Sequence, residues 1–302
     1  MLDGFFNSKL RSDLALLFVV SIWGSTFALM KGAFDDVGPF YFLTLRFGLA
    51  FFILLLLFFN RLKKIDVNIL KSGTNLGVVL FLGFALQVSG LRYTTASKAG
   101  FITGLSVVLV PFLGAIFFKK KLSLSTCFGV IFATGGLFLL SFDGVASLNY
   151  GDLLIFLCAL SFALHILFVD KYVKFNDAIL LALIQIGVVA LLSGVLAVFR
   201  GGVVSINSSL LWANILYMGL FATAIALLIQ NKAQEKTTPA KAAIIFSLEP
   251  VFGSVFSYAI LGELISPRAY FGGGLIVLGM VLAQIRFKES LIINKLQTVE
   301  NK

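Results

Sequence analysis

Ten apolar runs, each close to the length that crosses a bilayer as a helix, follow one another through this chain. A span needs about 20 mostly apolar residues, because lipid offers the backbone no hydrogen-bond partner other than its own helix. The runs are expected at 13–31, 39–59, 73–91, 99–118, 124–142, 151–169, 178–199, 210–230, 242–261 and 268–286. Short loops join nearly all of them. The expected fold is therefore an all-α polytopic membrane protein of ten transmembrane helices.

Composition supports this. The chain is 59% hydrophobic and 13% charged, with a mean hydropathy of +1.03. A water-soluble domain carries about a quarter of its residues as charges. The net charge of +10 could suggest nucleic acid, but the basic residues sit in short clusters between apolar runs. That distribution is the signature of topology, not of nucleic-acid binding. Lys9 and Arg11 before the run from Leu14 imitate a signal peptide. No small-residue cleavage site follows, so this run reads as the first span. Cys127 and Cys158 lie inside apolar segments without metal-like spacing and read as packing residues.

Orientation follows from the 24 Lys and Arg: eighteen fall on one side, five on the other, and Arg46 lies inside a span. The rich side places both termini in the cytoplasm of a cell (inner) membrane. Pro39 and Pro267 fall at helix starts, where a missing amide is harmless, whereas Pro111 lies within the fourth span and should kink it or free a carbonyl.

The chain also repeats itself. Thr94-Thr95-Ala96-Ser97-Lys98-Ala99 returns 143 residues later as Thr237-Thr238-Pro239-Ala240-Lys241-Ala242. Asp13-Leu14 and Asp152-Leu153 open the first and sixth runs in the same way, at an offset of 139. Five spans per copy is odd, so the second copy must enter the membrane upside down. This predicts two inverted five-helix repeats, 13–142 and 151–286, followed by a cytoplasmic tail over 287–302. Lys98 then belongs to an outer loop and Lys241 to an inner one.

Polar residues inside spans are costly and mark candidate sites. Arg46 falls seven residues into the second run, either snorkelling to the interface or anchoring a carboxylate. Glu249, in Ser247-Leu248-Glu249-Pro250, precedes a proline that leaves the carbonyl of Phe246 without its usual partner. Its carboxylate could bind an amino group, take up a proton, or bond a neighbouring helix. His165, the single histidine, can form no multi-histidine metal site and is either a satisfied core residue or a binding group. Gln87 and Gln230 lie in the more polar third and eighth runs. Trp23, beside Gly24, Ser25 and Thr26, either lines a pathway or packs on small neighbours. Glycines 129, 135, 136, 272, 273, 274 and 279 suggest a helix-packing seam. None forms a phosphate loop, so no nucleotide, cofactor or metal is expected.

These residues carry a resemblance. Ile22-Trp23-Gly24-Ser25-Thr26-Phe27, Leu45-Arg46-Phe47, the paired Thr-Thr blocks, and Ser247-Leu248-Glu249-Pro250-Val251-Phe252 followed by Leu261-Gly262-Glu263 resemble the drug/metabolite transporter superfamily, EamA-like type, over about 13–286. The first repeat departs from the family pattern, with Ser106-Val107 and Lys119-Lys120-Lys121 where a proline and a Gly-Glu are common. The resemblance implies a central cavity and transport of small organic solutes such as amino acids, often outward. The expectation is a secondary transporter, with exporter as the first direction and importer or uncoupled facilitator as alternatives. Its lining is expected to be Trp23, Arg46, Gln87, His165, Gln230 and Glu249, with proton coupling, if present, carried by Glu249. Partners are a small-molecule substrate and the lipid bilayer, with the chain a monomer or homodimer. An enzyme would need a cluster of nucleophile, histidine and acid, and a sensor a sizeable soluble segment; neither stands out.

Overall fold

In the computed structural model the described residues are 6, 8–30, 37–94, 96–119, 122–141, 149–200, 208–262 and 266–284. They form thirteen α-helical segments: α1 (Lys9–Met30), α2 (Pro39–Leu57), α3 (Val67–Gly90), α4 (Ala96–Gly104), α5 (Ser106–Phe118), α6 (Leu124–Ser141), α7 (Tyr150–Tyr172), α8 (Ala178–Arg200), α9 (Ser209–Gly219), α10 (Ala226–Gln234), α11 (Pro239–Phe246), α12 (Glu249–Leu261) and α13 (Pro267–Gln284). A 3-10 turn covers Phe59–Lys64, and a π-helical stretch, Leu220–Ile225, joins α9 to α10.

Among the described residues, seven helical stretches are long and apolar enough to cross a membrane: Pro39–Leu57, Val67–Gly90, Lys98–Phe118, Tyr150–Tyr172, Ala178–Arg200, Ser209–Gln234 and Pro239–Phe256. Leu124–Leu140 and Pro267–Ala283 are shorter apolar helices. The outward faces carry large exposed side chains such as Leu56, Phe112, Phe117, Leu191, Val198 and Phe271. Water would not tolerate so much apolar surface; lipid does. The chain is a multi-pass α-helical membrane protein.

Local chemistry sets the helix ends. Asp66 caps α3 by accepting from the Ile69 amide, so this helix starts six residues before the expected position 73. Asn149 and Asp152 form a reciprocal capping box at the start of α7. Ser208 and Thr238 cap α9 and α11, and Pro39, Pro239 and Pro267 occupy first helical positions. The eighth run extends to Gln234 rather than 230, and Lys232 is a mostly buried helix residue paired with Glu235 at 3.2 Å, not a loop cation.

The main packing pairs are α6 with α13, α3 with α7, α8 with α2 and α3, and α1 with α12, α10 and α11. The α6–α13 contact is a glycine seam, as expected, but a narrower one. A Cβ on Gly129 would lie 2.8 Å from the Gly279 carbonyl, and Gly136 meets Gly272 just as closely. Gly135 and Gly274 have open space around them, and Gly273 only an ordinary contact with Val251, so these three do not belong to the seam. Trp23 sits at the junction of three apolar clusters, which together build the interior.

Candidate functional site

Two helical columns are interrupted at matching places. The stretch α4–α5 breaks at Leu105 and α11–α12 at Ser247-Leu248, and Leu105 and Leu248 are separated by the same 143 residues as the Thr-Thr blocks. In the second column Pro250 follows at once, so the Phe246 carbonyl loses its helical donor. In the first column Pro111 lies six residues beyond the break and is accommodated within α5. Paired discontinuous helices are the common framework of a transporter binding site.

Glu249 is the first residue of α12, just past this break. Its side chain is half-buried. Gly24 lets α1 approach it: a Cβ there would lie 2.5 Å from Phe252 Cβ and 2.9 Å from the Glu249 carbonyl.

Arg46 faces the same region from α2 and is 5% exposed. Its Nε donates to Thr223 Oγ1 at 2.7 Å and its Nη2 to the Ala222 carbonyl at 3.3 Å. The guanidinium also lies 5.4 Å from the ring centres of Phe47 and Phe84. Both polar partners belong to the π-helical stretch, a distortion that recurs at functional sites because it reorients backbone carbonyls. Trp23 Nε1 donates to the same Ala222 carbonyl at 2.9 Å, and its ring packs 5.2 Å from Phe246. Arg46 is thus a fixed cation inside the protein, not a snorkelling one. Glu249 lies in the same region, and the two side chains form no contact ion pair.

Cys158 on α7 and Thr103, just before the first break, complete this region. Cys158 is buried beside Thr103. Thr103 Oγ1 is buried without a hydrogen-bond partner.

The six expected residues therefore divide. Trp23, Arg46 and Glu249 come together. Gln87 is half-buried on α3, one turn beyond the Phe84 ring that flanks Arg46. His165 and Gln230 belong to two further buried hydrogen-bonded chains, about two helical turns (~10 Å) along α7 from Cys158 and along α10 from Thr223. There His165 Nε2 donates to Gln185 Oε1 at 2.7 Å, Gln185 Nε2 to Asn231 Oδ1 at 3.3 Å, and Asn231 Nδ2 to the Ala178 carbonyl at 3.2 Å. Gln230 donates to Gln234, which donates to the Ile166 carbonyl, while Gln230 Oε1 has no partner.

Sequence reasoning missed Thr103, Thr223 and Asn231, and treated Cys158 as packing alone. A polar residue in an apolar run was the available signal for Asn231. Thr103 could have been found only by mapping the break at Leu248 back through the 143-residue repeat.

Charged and polar side chains thus gather beside interrupted helices inside a multi-pass membrane protein. The chain belongs to the EamA-like transporter family, which matches it twice, over residues 10–142 and 149–284. It is thus a member of a transporter family, not of an enzyme family. It is similar to an uncharacterized transporter of Archaeoglobus fulgidus, 38% identical over 278 residues, covering 92% of this chain and 87% of the relative. The uncharacterized transporter YyaM of Bacillus subtilis is 28% identical over 276 residues, covering 86% and 89%. A solved crystal structure superposes with a TM-score of 0.78 at 17% identity, covering 92% of this chain and 97% of that one. At that identity the likeness concerns the fold alone.

Proposed function

We propose that this protein is a secondary transporter of small zwitterionic or polar metabolites, amino acids among them, working by alternating access. The observation that carries this reading is a buried arginine, Arg46, bonded to the π-helical stretch on the side of Trp23, with Glu249 at the break of the second interrupted helix. A carboxylate would be drawn to Arg46 and an amino group to Glu249. Trp23, Gln87 and Thr103 would line the space between them. His165 and Gln230 act behind it, as a polar brace.

In this reading α1, α6 and α13 also cross the bilayer, giving ten spans in two inverted repeats, 13–142 and 151–286. The packing pairs support a pseudo-two-fold axis. Exchanging each span for the one five later turns α3 against α7 into α10 against α1, and α4–α5 against α7 into α11–α12 against α1. The pairs α2–α8 and α6–α13 map onto themselves. Both termini then lie in the cytoplasm, with export the expected direction. Glu249 is the proton carrier if transport is coupled.

The test is flux of labelled amino acids and metabolites into proteoliposomes, with and without a pH gradient. Saturable flux that responds to the gradient supports coupled transport, and flux indifferent to the gradient assigns a facilitator. No flux above empty vesicles for any solute would sink the reading.

A further inference from the structure

The repeated Thr-Thr blocks and the two opening aspartates, which the candidate site leaves unused, prove to be partners. Thr94 Oγ1 of the first block donates to Asp152 Oδ1, and Lys98 of the same block approaches Asp152 Oδ2 at 3.8 Å. Thr237 Oγ1 of the second block donates to Asp13 Oδ1 at 2.6 Å. Each contact joins one half of the chain to the other, and the two are the same contact with the halves exchanged. The first lies where α7 begins; its backbone neighbours are tight, a Cβ on Gly151 falling 2.8 Å from the Gly90 carbonyl. The second lies just beyond Gln234, whose amide bonds the Ile166 carbonyl, fourteen residues further along α7 from Asp152. At 1.5 Å per residue that is ~21 Å, so the two contacts occupy opposite ends of the helix bundle.

We propose that these are two reciprocal latches, one sealing each mouth of the cavity, and that each must open for the cavity to reach its side of the membrane. The proposal rests on the transporter reading above. The halves can rock about the central charged pair only if contacts at one end break while those at the other hold. A hydroxyl-to-carboxylate bond near a helix end suits this task, because water can replace it when it opens. Asp152 also caps its own helix, so the hydroxyl is the side to change.

Amide hydrogen exchange on the full chain in lipid nanodiscs tests the latches without any solute. Thr94→Val should speed exchange about tenfold around 89–98 and 149–153, the factor expected for losing one charge-assisted hydrogen bond. It should also slow exchange around 10–14 and 234–241, because opening one mouth favours closure of the other. Thr237→Val should do the reverse, and Thr94→Ser should behave as the parent. Faster exchange at the altered end with no slowing at the other would mean local fraying and would overturn the proposal. If one valine variant does not fold, the other carries the same test. Absence of flux in the solute assay sinks the transporter reading; absence of reciprocity with flux intact sinks only the latches.

Discussion

At the scale of single residues, the fixed position of Arg46 is the feature that most shapes the site. A free arginine in a span would reach for the interface. Here two of its nitrogens bond the π-helical stretch and its face rests on aromatic rings, so the cation stays inside. Lysine cannot reproduce that fork. Arg46→Lys should leave a folded protein whose KM for solute rises about tenfold or more, the loss of roughly one charge-assisted bond. An unchanged KM would show that Arg46 serves structure alone. Glu249→Gln keeps the shape and removes the charge, so any dependence of flux on a pH gradient should vanish. For His165 the expectation differs, because its Nε2 is committed to Gln185. His165→Leu should lower stability by about 1–3 kcal/mol, by leaving a buried acceptor unpaired. Thermal unfolding in detergent would measure this, with little change in KM.

At the scale of elements, the two halves copy one another even where their residues differ. Lys119 ends α5 with φ 49, and Gly262, 143 residues later, ends α12 with φ 68. The left-handed turn persists although its glycine has been lost from the first copy, at a strain of roughly 1 kcal/mol. Lys119→Gly should therefore raise stability slightly, or at worst leave it unchanged once the added chain entropy is counted. Along the α6–α13 seam, Gly136→Val should destabilise by about 1–3 kcal/mol through overpacking, whereas Gly135→Ala should be neutral or better. Unfolding curves of the two variants would separate a true seam residue from its neighbour.

What the sequence made legible follows the same division. Apolar runs locate helices reliably because lipid enforces the pattern, and the observed ends fall within a few residues of those expected. The third and eighth stretches ran longer, since Asp66 capping and the burial of Asn231 and Gln234 are side-chain events that hydropathy does not register. Trp23, Arg46 and Glu249 could be picked out because charge or an indole in a span is rare. That they meet, while His165 and Gln230 lie in other hydrogen-bonded chains, depends on helix rotation, which no linear pattern encodes. Of seven glycines in two helices, periodicity alone could not say that 129, 136, 272 and 279 face each other.

At the scale of the whole molecule, a duplicated scaffold surrounds an unequal interior. Both halves supply an interrupted helix and a latch, but the acid follows the break only in the second, where Glu249-Pro250 replaces Ser106-Val107. Symmetry would provide two alternating states of similar energy, and asymmetry would provide the chemistry. The most direct measurement is solute flux in proteoliposomes, comparing the parent protein with Glu249→Gln across a panel of labelled amino acids and metabolites. The account predicts saturable flux of at least one solute, lost or made independent of the pH gradient in the variant. Flux no greater than in empty vesicles for every solute offered would contradict it.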